Sequence, residues 1–244
     1  MKDNKYDNSI RRHAFAAGGT IFDEQLNKMA HYRDLVKHPD PIINNRWLSA
    51  GENEFGRLFQ GFSANNIEGM NVLEWIFKHE VPNNKVVTYA CYMVAYRPEK
   101  DEPFRVRITA GGDRPIYEGN VSTQVSTMET FKLLLNSTIS TEGAKMFTGD
   151  ISNMYLESML AESEYVRFDV KLIPPRIIAQ YNLQDKISNG YVYAKVNKAW
   201  YVLKQSGKIA HDDLVAHLKT EGYYKCHTEG LFKHKTTGIP CSPW

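Results

Sequence analysis

The stretches KVVTYACYMVAY, residues 85–96, and FRVRIT, residues 104–109, decide the fold class. Both are rich in β-branched and aromatic side chains, and the polar segment RPEKDEP between them has the composition of a turn. In FRVRIT the alternation of a strand places Arg105 and Arg107 on one face and apolar side chains on the other. Because EWIFKHEV, residues 74–81, has the same texture, we expect a meander of three strands.

Helical patterns lie on both sides of these strands. Apolar residues recur at helical intervals from Phe22 to Val36, and a second amphipathic segment runs from Trp47 to Phe59 with Glu52 and Glu54 off its apolar side. After the strands, the segment STME, residues 126–129, resembles a capping box and predicts a helix of about ten residues. The buried stripe of that helix is expected to consist of Met128, Phe131, Leu134 and Leu135.

Strand and helix patterns continue irregularly to the end of the chain. Strands are expected at residues 145–151, 165–172 and after Gly190, helices at residues 175–183 and 208–220, and a hairpin from YYKC and LFKHK. This irregular order predicts an α+β fold, an antiparallel sheet with packed helices, rather than repeated βαβ units. Residues 1–45 are interpreted as an arm and a helix, and residues 46–244 as the main region.

Composition excludes several classes of protein. The 244 residues include 30 basic and 28 acidic side chains, so there is no strong basic excess, and the three cysteines form no C-x-x-C pair. A reducing intracellular location is therefore predicted. No apolar stretch approaches the roughly 18 residues that a membrane span needs, and no membrane partner is expected.

Two local patterns could carry chemistry. Asp150 ends the apolar stretch KMFTGDI, where a divalent cation or a simple strand-end turn would account for a carboxylate. The segment WYVLKQSGK, residues 200–208, precedes a helix, and Lys204 and Lys208 could help its first turn to bind an anion. Taken alone, each pattern is more typical of an ordinary turn or loop.

The order of these patterns resembles the reverse transcriptase of copia-type long-terminal-repeat retrotransposons, over roughly residues 47–235. The resemblance rests on residues 87–112, VTYACYMVAYRPEKDEPFRVRITAGG, residues 117–137, YEGNVSTQVSTMETFKLLLNS, and residues 147–156, FTGDISNMYL. It continues through GYVYAKVNKAWYVLKQSGKIA, residues 190–210, and GYYKCHTEGLFKHK, residues 222–235. The fold that it implies is a reverse-transcriptase fingers region with part of the palm.

The resemblance implies RNA-directed DNA polymerisation, a nucleotidyl transfer by two metal ions about 4 Å apart. It assigns the first catalytic carboxylate to Asp150 and a metal ligand to the Ile151 carbonyl. The resemblance also assigns nucleotide contacts to Arg107, Tyr155 and Gln205. The cofactor that it implies is Mg²⁺ or Mn²⁺. The partners that it implies are an RNA or DNA primer–template and deoxynucleoside triphosphates.

The chain also departs from the family pattern. The family favours a basic residue near Cys91, a Lys-like or Arg-like residue at Ser152 and glycine at Val202, and it continues into an Asp-Asp turn where this sequence reads PCSPW. Because one carboxylate cannot by itself hold two cations whose charge must offset a triphosphate, we expect an inactive polymerase fragment. Its missing palm strands would leave an exposed sheet edge able to associate.

Two alternatives remain. The first is a non-catalytic remnant of this fold that binds nucleic acid or protein. The second is an unrelated metal-dependent phosphotransferase centred on Asp150, which would need a second acidic group, such as Asp212 and Asp213, close to it in space.

Overall fold

The computed structural model describes residues 19–123 and 126–242. Its strands are β1 (Ile21–Asp23), β2 (Lys28–Ala30), β3 (Leu73–Ile76), β4 (Val87–Tyr96), β5 (Phe104–Ala110), β6 (Met159–Asp169), β7 (Tyr191–Lys198), β8 (Tyr223–Lys225), β9 (Phe232–His234) and β10 (Pro240–Cys241). Its α-helices are α1 (Tyr32–Leu35), α2 (Pro41–Leu58), α3 (Met128–Ser140), α4 (Met154–Glu157), α5 (Pro175–Gln180) and α6 (Ser206–Thr220). Among these helices, none is long and apolar enough to cross a membrane.

The main sheet has five strands in the order β3-β7-β6-β4-β5. The predicted α+β class is confirmed, but the sheet is mixed because β4 and β6 pair in parallel, with Val87 beside Tyr165. The predicted three-strand meander is wrong: β4 and β5 form a hairpin, whereas β3 pairs with β7. The pairing of a strand depends on where its apolar side chains can be buried. Strands that are adjacent in the sequence therefore need not be adjacent in the sheet.

Helix α2 packs against β5 and contributes several residues to the buried core. Asp40 caps it by accepting a hydrogen bond from the Ile42 N–H at 2.9 Å, and Pro41 occupies its first turn. The Phe59 ring, just after the helix, stacks on Trp75 of β3 at 4.0 Å between centroids. The predicted second helix is confirmed, and Glu52 and Glu54, which lie off its apolar side, are buried.

The predicted helix from Phe22 to Val36 is wrong over most of its length. Residues 21–30 form the β1–β2 hairpin, and only α1 is helical. The Asp23 carboxylate accepts hydrogen bonds from the N–H groups of Gln25 and Leu26, both at 3.0 Å, and Asn27 has a φ of 48°. These features fold the chain back on itself before a helix can propagate. Of the predicted arm, residues 1–18 lie outside the described residues.

The structure corrects two predictions in residues 128–151. Helix α3 is confirmed, but its cap is Thr127, and Met128, Phe131 and Leu135 of the expected buried stripe are exposed. The expected strand at residues 145–151 is wrong: no described strand pairs with it, and Phe147 is 92% exposed. A strand without a pairing partner gains no backbone hydrogen bonds to hold it.

The remaining predicted elements are confirmed with shifted ends. Helix α5 begins at Pro175, α6 ends two residues before Gly222, and β8 and β9 form the expected hairpin. Gly222 follows α6 with a φ of 85°, the left-handed conformation that commonly ends an α-helix. A short third strand, β10, adds to this hairpin near the end of the chain.

Candidate nucleotide and nucleic-acid interface

The outer edge of β5 is covered by residues 200–203. The Ala110 N–H donates to the Tyr201 carbonyl at 3.1 Å, and the Trp200 indole N–H donates to the Ile108 carbonyl at 3.0 Å. Trp200 is fully buried. These bonds join the predicted fingers strand to the segment WYVLKQSGK, so two of the stretches that carry the resemblance are adjacent in space.

Three side chains from separate segments form a cation–aromatic cluster: Arg107, Tyr201 and Tyr155. The Arg107 guanidinium lies 4.8 Å from the centre of the Tyr201 ring. The Tyr155 ring meets the Tyr201 ring edge to face, with centroids 6.2 Å apart. Arg107 and Tyr155 are exposed. Arg107 and Tyr155 were predicted as site residues from the sequence, but Tyr201 was not. The available signal was that Tyr201 lies in the same segment as Gln205, WYVLKQSGK.

A buried carboxylate organises the arginines beside this cluster. Glu54 of α2 accepts a hydrogen bond from the Ile108 N–H at 3.3 Å and lies 3.4 Å from Arg105 and 3.5 Å from Arg57. Glu102 also pairs with Arg57 and Arg105. Of the two cations predicted on the solvent face of β5, Arg107 is exposed and Arg105 is half-buried.

The local environment shifts two pKa values around the cluster. Burial raises the pKa of the Glu54 carboxyl, and the nearby arginines, Arg105 foremost, partly oppose that shift. Burial also raises the pKa of the Tyr201 hydroxyl, against the opposing effect of Arg107. Tyr201 therefore stays neutral near pH 7 and offers Arg107 a neutral aromatic face.

The backbone at Val202 adopts a conformation that suits glycine. Its φ is 74°, in the left-handed region that a β-branched residue rarely occupies. The Val202 carbonyl also lies against Gly112, where an added Cβ would come within 2.6 Å of that oxygen. Position 202 is the one at which the resemblance expects glycine, so the strained backbone coincides with the departure noted in the sequence.

Gln205 lies next to the cluster but points into the protein. It is buried, and its side-chain amide donates to Glu164 of β6 at 3.3 Å. Burial raises the pKa of the Glu164 carboxyl, and the positive charge of Lys85 opposes the shift more than the Gln205 hydrogen bond does. The predicted nucleotide contact by Gln205 would require this side chain to turn outward.

Asp150 and Ile151 take part in none of these contacts and lie in an exposed, non-helical segment. No hydrogen bond or ion pair joins Asp150 to another described residue, and residues 19–123 and 126–242 contain no group of three acidic, histidine or cysteine side chains able to hold a metal ion. The residues present therefore do not fit a Mg²⁺ or Mn²⁺ centre. Asp212, which the phosphotransferase alternative would need, pairs instead with Lys208 on α6.

The opposite edge of the sheet carries two open cavities of about 620 and 470 Å³ beside β3. None of the predicted site residues lines either cavity. Side chains partly cover this edge as well, because Gln60 donates to the Leu73 carbonyl at 2.8 Å and Lys186 to the Trp75 carbonyl at 3.4 Å. The predicted site residues and the cavities thus belong to different parts of the molecule.

Comparisons with protein-family models, with curated proteins and with solved structures give no match for this chain.

Proposed function

We propose that this chain is a reverse-transcriptase-like fingers region of copia type with part of the palm, which binds nucleic acid and nucleotide phosphates without catalysing polymerisation by itself. The observation that carries the proposal is the cation–aromatic cluster. Its members Arg107, Tyr155 and Tyr201 come from three different stretches of the resemblance. A guanidinium beside one tyrosine ring, with a second tyrosine packed on that ring, can contact a phosphate and leave aromatic surface for a sugar or base.

Two further features support the assignment. The positive φ of Val202 falls where the resemblance expects glycine. Glu54 and Glu102 hold Arg57 and Arg105 in place, so an anion that reaches Arg107 meets a surface whose arginines are already ordered. Preordered side chains lose less conformational entropy on binding.

The proposal assigns binding rather than catalysis because the metal chemistry lacks ligands in the described residues. Nucleotidyl transfer needs carboxylates that hold two cations. Asp150 is exposed and has no acidic partner in a metal-ligating group of the described chain. The non-catalytic alternative from the sequence is therefore the form of the hypothesis that we favour.

Fluorescence anisotropy with a labelled primer–template tests the proposal. We expect binding that weakens as salt rises, and Arg107→Ala should weaken it about tenfold and reduce the salt slope by about one. Arg33→Ala removes the same charge from an exposed position on α1 and is the matched control, expected to leave binding nearly unchanged. Absent binding, or equal losses in the two variants, would count against the proposal.

A further inference from the structure

Helix α3 presents an apolar stripe to solvent, and this feature is independent of the proposed function. The stripe consists of Met128, Phe131, Leu135 and Ile139, spaced three, four and four residues apart, so they follow one line along the helix. Their exposed fractions are 62%, 39%, 39% and 76%. Such spacing is typical of a helix that packs against another helix.

The face of α3 turned toward the protein is different. Thr130 is buried, and Leu134 and Thr138 are half-buried, at intervals of four residues. The Thr138 hydroxyl donates to the Leu134 carbonyl at 2.9 Å. The helix therefore turns a largely polar face toward the protein, while the described residues leave its apolar stripe substantially exposed, the reverse of an ordinary surface helix.

We infer that the stripe is a self-association surface on which α3 of a second copy packs antiparallel, related by twofold symmetry. In this pairing Met128 meets Ile139 of the other copy, and Phe131 packs beside Leu135. An isologous contact needs one surface that complements itself. The stripe meets that requirement because large apolar side chains lie in both halves of the helix.

The charges of α3 favour the antiparallel arrangement. Its two charged residues, Glu129 and Lys132, both lie in the N-terminal half, and the C-terminal half offers uncharged Asn136, Ser137 and Ser140. Antiparallel pairing sets each charged half against an uncharged polar half, so like charges do not meet. It also places the helix dipoles in opposite directions.

The available area predicts a reversible dimer. Taking roughly 150–200 Å² for each whole side chain, the exposed fractions give about 400 Å² of apolar surface per copy, or about 800 Å² in a pair. Specific interfaces usually bury about 1,200 Å² or more in total, so the apolar stripe alone falls below that range. The dimer should therefore dissociate on dilution.

Sedimentation equilibrium of the full chain, from about 1 µM to about 500 µM, tests the inference. We expect a monomer–dimer equilibrium, and Leu135→Lys should raise the dissociation constant at least about tenfold, because it places a charge in the stripe next to Lys132 of the other copy. The matched control is Leu133→Lys, which makes the same change at a 67% exposed position on the same helix. It lies about 150° from the stripe around the axis and should leave the equilibrium unchanged.

Three outcomes would overturn the inference. They are a monomer at every concentration, a dimer that Leu135→Lys leaves intact, and a dimer that both variants weaken equally. Circular dichroism of each variant confirms that the fold is retained, and both positions are exposed, so neither change disturbs the core.

Discussion

At the scale of single residues, Val202 is the clearest point of local strain. Its left-handed φ of 74° costs an L-residue about 1–2 kcal/mol, and a β-branched side chain adds to that cost. Val202→Gly should therefore stabilise the protein by about 1 kcal/mol, after allowing for the greater freedom of glycine in the unfolded chain. Urea unfolding measures the difference. Val202→Ala should gain less, and a loss of stability in the glycine variant would refute the strain.

Glu54 gives a prediction on pH. Burial raises its folded-state pKa above the usual 4.5, so the folded state holds the proton more tightly than the unfolded state. The stabilisation that comes from the raised pKa of Glu54 is fully present below pH 4.5. It is lost as the pH rises through the higher pKa of the folded state. Glu54→Gln removes this dependence, so the stability of the native protein relative to the variant should fall as pH rises above 4.5.

Urea unfolding of both proteins at several pH values between 4 and 8 measures this difference. The control is Glu99→Gln, which neutralises an exposed carboxylate in the turn between β4 and β5. It should leave the pH profile parallel to that of the native protein. Parallel profiles for Glu54→Gln would show that burial does not perturb Glu54 in solution.

At the scale of elements, the sequence predicted local structure better than pairing. Helix α2, the β4–β5 hairpin and β7 followed from periodicity and turn residues, because those signals lie within one segment. The position of β3 beside β7 did not, since it depends on Trp75 stacking with Phe59 and on contacts far along the chain. The same limit applies to the site: Arg107 and Tyr155 could be proposed from motifs, but Tyr201 emerged only from the packing of residues 200–203 on β5.

The β1–β2 hairpin was missed because its apolar residues also match a helix. Asp23 decides between the two structures: it is buried, accepts two backbone N–H bonds in the turn and lies 3.4 Å from the His38 imidazole. Asp23→Ala leaves these donors unsatisfied and should cost about 2–3 kcal/mol. The neighbouring exposed change Glu24→Ala should cost less than about 0.5 kcal/mol. Equal effects in urea unfolding would mean that Asp23 does not hold the turn.

At the scale of the whole molecule, we expect this protein to bind nucleic acid without catalysing its synthesis. Purified chain with a primer–template, deoxynucleoside triphosphates and Mg²⁺ or Mn²⁺ should show no primer extension above background, because Asp150 belongs to no metal-ligating group of three side chains in the described chain. Gel analysis of a labelled primer measures this. Extension that Asp150→Asn abolishes would contradict the inactivity while supporting the family.

The central claim is that nucleic acid meets this protein at Arg107, Tyr155 and Tyr201. Photo-cross-linking with an iodouracil-substituted primer–template, followed by mass spectrometry of the peptides, tests it most directly because the reaction favours aromatic side chains close to the base. The account predicts cross-links at Tyr155 and Tyr201 that decline in the Arg107→Ala variant. Cross-links confined to the opposite edge of the sheet, around Phe77 and Tyr181 near β3, would contradict it.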